Sequence, residues 1–87
     1  MKIIRVSAVW CVSCIVSHKM WLELKEKYPD FEFLDYDYDL DLDQIEKYQI
    51  GTIIPVIIFL KNDNEILRIT GEKNKTEFFK IIEEVIE

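Results

Sequence analysis

The chain has 87 residues, of which 49 % are hydrophobic and 13 % aromatic, with 17 acidic against 11 basic side chains and a formal charge of −6. That is enough apolar material for one packed domain over residues 1–87 and too much for a disordered chain, although a chain this short buries only about 60 % of its extended surface. The acidic balance argues against a nucleic-acid partner, no apolar run approaches the ~18 residues of a membrane span, and Met1-Lys2 followed by a few apolar residues before Arg5 is not a secretory signal, so a cytoplasmic location is expected.

Residues 2–8 are rich in β-branched side chains and read as a buried strand interrupted only by Arg5, which needs a partner. From 11 to 28 there is no Gly or Pro, and Val16, Met20, Trp21, Leu24 and Tyr28 recur at helical spacing until Pro29-Asp30 ends the run. Residues 31–38 are aromatic-rich, alternate apolar with acidic after Leu34, and predict a second strand. A short helix over 39–48 follows, with Leu42, Ile45 and Tyr48 on its apolar face and Asp39 or Asp41 as its cap. Residues 56–60, after Ile53, Ile54 and Pro55, are apolar enough for a strand covered on both faces. Lys61-Asn62-Asp63-Asn64 is turn chemistry, 65–70 returns antiparallel, and Gly71 breaks that strand. Asn74 with Glu77 fits a capping box, opening a helix with Phe78, Phe79, Ile82, Val85 and Ile86 on its apolar side. The order βαβαββα with right-handed crossovers predicts an α/β fold with the first two strands parallel and helices on both faces of the sheet.

Trp10-Cys11-Val12-Ser13-Cys14 falls where the first strand ends and the first helix begins. Free amides and the positive end of the helix macrodipole favour an anion there, so Cys11 is expected to be the attacking thiolate. Cys14, one turn into the helix on the same face, is placed to resolve a mixed disulfide into an internal one. Two cysteines three apart exclude a stapled extracellular scaffold and leave redox or metal chemistry, or the blander reading of two small apolar residues.

The chain resembles the thioredoxin family over nearly its whole length. The resemblance rests on Trp10-Cys11-x-x-Cys14 after a strand, Ile54-Pro55 before the third strand, Phe59-Leu60-Lys61-Asn62 with Glu65, and Thr70-Gly71. It implies a three-layer sandwich without the family's first strand and helix, with a four-stranded mixed sheet in the order 2-1-3-4. It further implies a cis Ile54–Pro55 bond facing the cysteines, with the backbone of Ile54 presented to an extended substrate. A trans proline opening a strand is the alternative. Trp10 takes the place of the tryptophan flanking the family's site, and Gly71 that of the glycine that lets a partner chain approach, although Trp10 also suits an ordinary core.

Three departures stand out. Val12-Ser13 replaces the usual Gly-Pro between the cysteines. Lys19 stands where many members have a helix-kinking proline, which predicts a straighter helix. Arg5 occupies the position of the family's buried acid beneath the second cysteine, and Asp35 that of its facing lysine, so the tuning pair is inverted. An arginine cannot shuttle a proton at working pH. The alternative is that Arg5 reaches to the sheet edge and Asp35 is solvated. Cys11, Cys14 and His18 supply three metal-type ligands where a structural zinc wants four, and the acids between 35 and 43 lack the glycine and terminal glutamate of an EF-hand. No metal or other cofactor is expected.

The functional expectation is a monomeric thiol–disulfide oxidoreductase acting on disulfide-containing proteins, in electron transport and cell redox homeostasis. Its electrons come from a thioredoxin-reductase-like partner or from glutathione. Two alternatives stand beside it. One is a glutaredoxin-like reductase, for which only Lys73 and Lys75 offer basic groups near Pro55 and Gly71. The other is a redox-inactive binding module presenting Trp10, Ile54 and Pro55.

Overall fold

The computed structural model describes residues 1–86. The elements run β1 (Lys2–Ser7), α1 (Val12–Lys27), β2 (Glu32–Asp37), α2 (Leu42–Lys47), β3 (Val56–Lys61), β4 (Asn64–Thr70) and α3 (Lys75–Ile86). They form one four-stranded sheet in the order β2-β1-β3-β4. β1 and β2 are parallel, with Arg5 directly opposite Asp35. β1 and β3 are antiparallel, as are β3 and β4, with an irregularity between Phe59 and Leu60.

Alternation along the strands divides the core between the two faces of the sheet. Ile3 on β1 and Ile57 and Phe59 on β3 pack with Met20, Trp21 and Leu24 of α1 and with Phe78 and Ile82 of α3. On the other face Ile4, Val6, Val56 and Ile58 pack with Leu34 and Tyr36 of β2 and with Ile45 and Tyr48 at α2. β3 contributes to both faces, which is why its sequence is apolar without interruption. Asn62 and Asp63 sit at φ 53° and 66°, the left-handed pair that a two-residue turn between twisted strands requires. Asn74 caps α3 by accepting a 2.8 Å hydrogen bond from Glu77 N–H.

The structure corrects several side-chain assignments. Val16 is exposed, and the buried positions of α1 are Cys14, Ser17, Met20, Trp21 and Leu24. The apolar residues at its start, Val12, Ile15 and Val16, face outward. Leu42 and Val85 are likewise exposed. Asp41 stands at the N-cap of α2 without a side-chain bond to the helix. Its carboxylate accepts instead from Asp37 N–H at 2.7 Å, closing the turn out of β2.

Candidate active site

β1 ends beneath the start of α1, and this junction places the cysteines. Cys11 is the N-cap of α1 in extended conformation, φ −90° and ψ 110°. Its Sγ accepts a 3.1 Å hydrogen bond from Cys14 N–H, the bond that a serine or aspartate oxygen makes at an ordinary N-cap. Cys11 and Cys14 are joined as a disulfide, with their Cα atoms 5.2 Å apart. Cys11 is 7 % exposed and Cys14 only 2 %. Opening the disulfide leaves the amide of Cys14 and the helix terminus aimed at Cys11, an arrangement that favours its thiolate.

Three other segments meet this corner. The Ile54–Pro55 peptide is cis, and the Ile54 carbonyl oxygen lies 3.8 Å from Cys11 Sγ. Ile54 precedes the ladder pairs, which begin at Val56, so its backbone stands at the sulfur outside the sheet. Gly71 donates from its N–H to the Pro55 carbonyl at 2.8 Å and has φ +84°, a conformation that suits glycine. Trp10 is 59 % exposed. Its indole N–H donates to Asp39 Oδ2 at 2.6 Å, and its ring meets Tyr38 edge to face with centroids 6.2 Å apart. Val9, Val12 and Ile53 add exposed apolar surface around the disulfide.

Arg5 is 4 % exposed and lies under α1. Its guanidinium donates to the Cys14 carbonyl at 2.6 Å and approaches Asp35 Oδ2 at 3.5 Å. The edge placement considered for this arginine is therefore not adopted. Asp35, on the edge strand, keeps its side chain 48 % exposed. Burial pushes the Arg5 pKa down and Asp35 opposes that shift. The guanidinium still stays charged at working pH. Ser17 Oγ also donates to the Cys14 carbonyl, at 3.1 Å, so the carbonyl beneath the second cysteine holds two side-chain donors.

Sequence reasoning brought Cys11, Cys14, Ile54, Pro55 and Gly71 to this corner, with Arg5 and Asp35 behind it. It missed Asp39 and Tyr38, which hold Trp10. The sequence assigns Asp39 to a helix cap, and no local pattern marks its pairing with Trp10. It also missed Ser17, whose three-residue spacing from both Cys14 and Met20 on the buried helix face was the available signal. An open pocket of about 290 Å³ beside Cys14, lined by Arg5, Ser7, Ile15, His18 and Asp37 among others, was not foreseen. Among the described residues no group of three or more His, Cys, Asp or Glu is placed to hold a metal. No helix among them is long and apolar enough to cross a membrane.

Known proteins share this arrangement. The thioredoxin family model matches residues 1–84. The chain is 33 % identical to Thioredoxin H5 of Oryza sativa subsp. japonica over 69 residues, which are 79 % of this chain and 50 % of that protein. It is 35 % identical to Thioredoxin H4-1 of the same plant over 74 residues, 85 % of this chain and 55 % of the relative. It thus spans about half the length of the curated relatives it matches. The X-ray structure of Fasciola hepatica thioredoxin superposes with a TM-score of 0.83 at 25 % identity, covering 97 % of this chain and 79 % of that one. Oxidised mitochondrial thioredoxin 3 of Saccharomyces cerevisiae gives 0.82 at 28 % identity, covering 95 % and 76 %. A family model matched from residue 1 to 84, together with the paired cysteines at the head of α1, shows that this chain belongs to the thioredoxin family.

Proposed function

We propose that the protein is a thiol–disulfide oxidoreductase that reduces disulfides in other proteins, with Cys11 as nucleophile and Cys14 as resolving thiol. The observation that carries this reading is the 3.1 Å bond from Cys14 N–H to Cys11 Sγ at the helix N-terminus. In the dithiol state it stabilises negative charge on the more exposed of the two sulfurs. The Cys11 thiolate attacks a substrate disulfide, forming a mixed disulfide and releasing one substrate thiol. Cys14 then attacks Cys11, re-forming the internal disulfide and releasing the second thiol, so two electrons pass to the substrate.

Exposed Val9, Trp10, Val12 and Ile53 around the sulfurs support a substrate whose disulfide is flanked by apolar residues. Ile54 and Pro55 position its backbone, and Gly71 leaves room for it. A thiol donor must recharge the protein, either a thioredoxin-reductase-like partner or glutathione. Of the basic groups considered for glutathione, Lys75 is paired with Glu23 at 3.2 Å, which favours the reductase-type partner. In the cell this reading places the protein in the cytoplasm, in electron transport and redox homeostasis.

Reduction of insulin disulfides, with dithiothreitol as electron source, tests the reading. Cys11→Ser is expected to be inactive, and Cys14→Ser to accumulate a mixed disulfide through Cys11. Insulin reduction by the wild type no faster than by dithiothreitol alone, with partner binding kept in a Cys11→Ser, Cys14→Ser double variant, would reject the enzyme in favour of a binding module.

A further inference from the structure

Cys14 raises a problem of proton transfer. The sulfur is nearly sealed from solvent, yet it must lose a proton before it attacks and regain one when the internal disulfide is reduced. The charged group buried beside it is Arg5, which cannot exchange protons at working pH. The way out is the open pocket of about 290 Å³ on the α1 side of the sheet, which Cys14 itself helps to line. Two titratable side chains besides Arg5 and Cys14 line it, His18 from α1 and Asp37 from β2.

We propose that His18 relays the proton of Cys14 through this pocket. The inference rests on the resolving role given to Cys14 above. His18 is four residues after Cys14 in α1, so the two side chains rise from one helix face with Cβ atoms about 6 Å apart. That spacing suits transfer through one water, and the pocket is open to solvent and polar enough to hold it. Imidazole is the side chain whose charge changes in the neutral range. Its other neighbours one turn away on α1 are Ile15, Trp21 and Leu22, and none of them is charged. The charges that face the pocket from the sheet are Arg5 on β1, already paired with Asp35, and Asp37 on β2. Asp37 Oδ1 accepts from Asp39 N–H at 2.8 Å and Leu40 N–H at 3.2 Å. These bonds hold its carboxylate in place at the turn out of β2.

In the resolving step the Cys14 S–H proton passes through water to the His18 imidazole. The freed electron pair on Cys14 Sγ forms the bond to Cys11 Sγ, and the bond from Cys11 to the substrate sulfur breaks with its pair on the departing thiolate. When the internal disulfide is later reduced, the imidazolium returns the proton to the Cys14 thiolate. The inverted Arg5 and Asp35 pair and His18 thus divide two tasks, fixed charge below the sulfur and a mobile proton beside it.

The test isolates the resolving step. The reduced protein is mixed with a stoichiometric amount of 5,5′-dithiobis(2-nitrobenzoate), and the second thionitrobenzoate, expelled by Cys14 from Cys11, is followed by stopped flow from pH 5 to 9. This leaving group departs as an anion, so the rate reports loss of the Cys14 proton. His18→Ala, at an exposed position, is expected to slow the second release about tenfold at pH 7. It should also flatten the rise of that rate with pH, and added imidazole should restore part of the rate. An unchanged profile in His18→Ala overturns the proposal. So does loss of the rise in Asp37→Asn with His18→Ala unaffected, which would assign the relay to Asp37. If Cys14→Ser still expels the second thionitrobenzoate, the resolving role itself fails and the relay with it.

Discussion

Replacing Arg5 with methionine separates the two effects of a buried guanidinium, on the fold and on the sulfur. The change removes the 2.6 Å bond to the Cys14 carbonyl and the 3.5 Å ion pair with Asp35. Loss of a partner in a fully buried pair costs about 3–5 kcal/mol. Here Asp35 is 48 % exposed, so water takes over its carboxylate and the pair contributes about 1 kcal/mol at most. The Cys14 carbonyl keeps Ser17 Oγ, and methionine avoids burying a charge. The net loss expected is about 1–2 kcal/mol, and Asp35→Asn added to it recovers little. The electrical effect on the sulfur is larger relative to its own scale. At a separation of about 6 Å and an effective dielectric near 20 a guanidinium is worth about 3 kcal/mol to a thiolate, and the Asp35 charge opposes it with roughly half that. About 1 kcal/mol for a thiolate corresponds to about 20 mV in a two-electron couple, felt in full only when the thiol is ionised. Arg5→Met is therefore expected to lower the reduction potential by up to about 60 mV, reached only with the thiol fully ionised, and Asp35→Asn to raise it by about half as much. Equilibration with a glutathione buffer, read by thiol alkylation, gives the potentials, and urea unfolding gives the stabilities. Burial lowers the Arg5 pKa, so the unfolded state holds more protons only in the strongly alkaline range. Stability would rise with pH there, and Arg5 adds no pH dependence between about pH 4 and 9. Equal potentials and thiol acidities in the wild type and Arg5→Met would refute the electrostatic role.

Three further outcomes are expected. In the reduced protein Cys11 should react with iodoacetamide much faster than Cys14, and mass mapping that finds Cys14 labelled first would reverse their roles. Reduction should raise the emission of Trp10, because a neighbouring disulfide quenches indole. The measurement uses Trp21→Phe, which also removes the buried indole N–H that lacks a partner, and an unchanged signal would place Trp10 outside the site's influence. Asn74→Ala should cost about 1 kcal/mol in urea unfolding, because it removes the cap to Glu77 N–H. A change within error would show that water replaces the cap.

The parts of the fold legible in the sequence were those written in local terms. The Asn62-Asp63 turn and the Asn74 cap each follow from a pattern within a few residues of itself, whereas the strand order follows from the resemblance to the thioredoxin family. The cysteine corner was also legible, because Cys11 and Cys14 share one helical turn and Ile54-Pro55 is a distinctive neighbour. What escaped were faces and long-range partners. Periodicity assigned Val16 and Leu42 to the core, but α1 is apolar on more than one side near its start and α2 is only six residues long, so neither pattern fixes a phase. Asp39 reaches Trp10 across 29 residues of chain. Nothing local marks that pairing, since aspartate after a strand reads equally well as a cap. The pocket shared by His18 and Asp37 exists only once α1 lies over the parallel pair of β1 and β2.

That parallel pair leaves β2 as one open edge of the sheet. Unpaired edges invite other strands. β2 carries Glu32, Asp35 and Asp37 within six residues, so two copies approaching edge to edge bring rows of carboxylates together. The acids that hold Arg5 and line the Cys14 pocket therefore also keep the sheet from growing. Acid strong enough to protonate carboxylates removes that protection while leaving the apolar faces intact, and edge-to-edge self-association should begin in acid before the sheet itself unfolds.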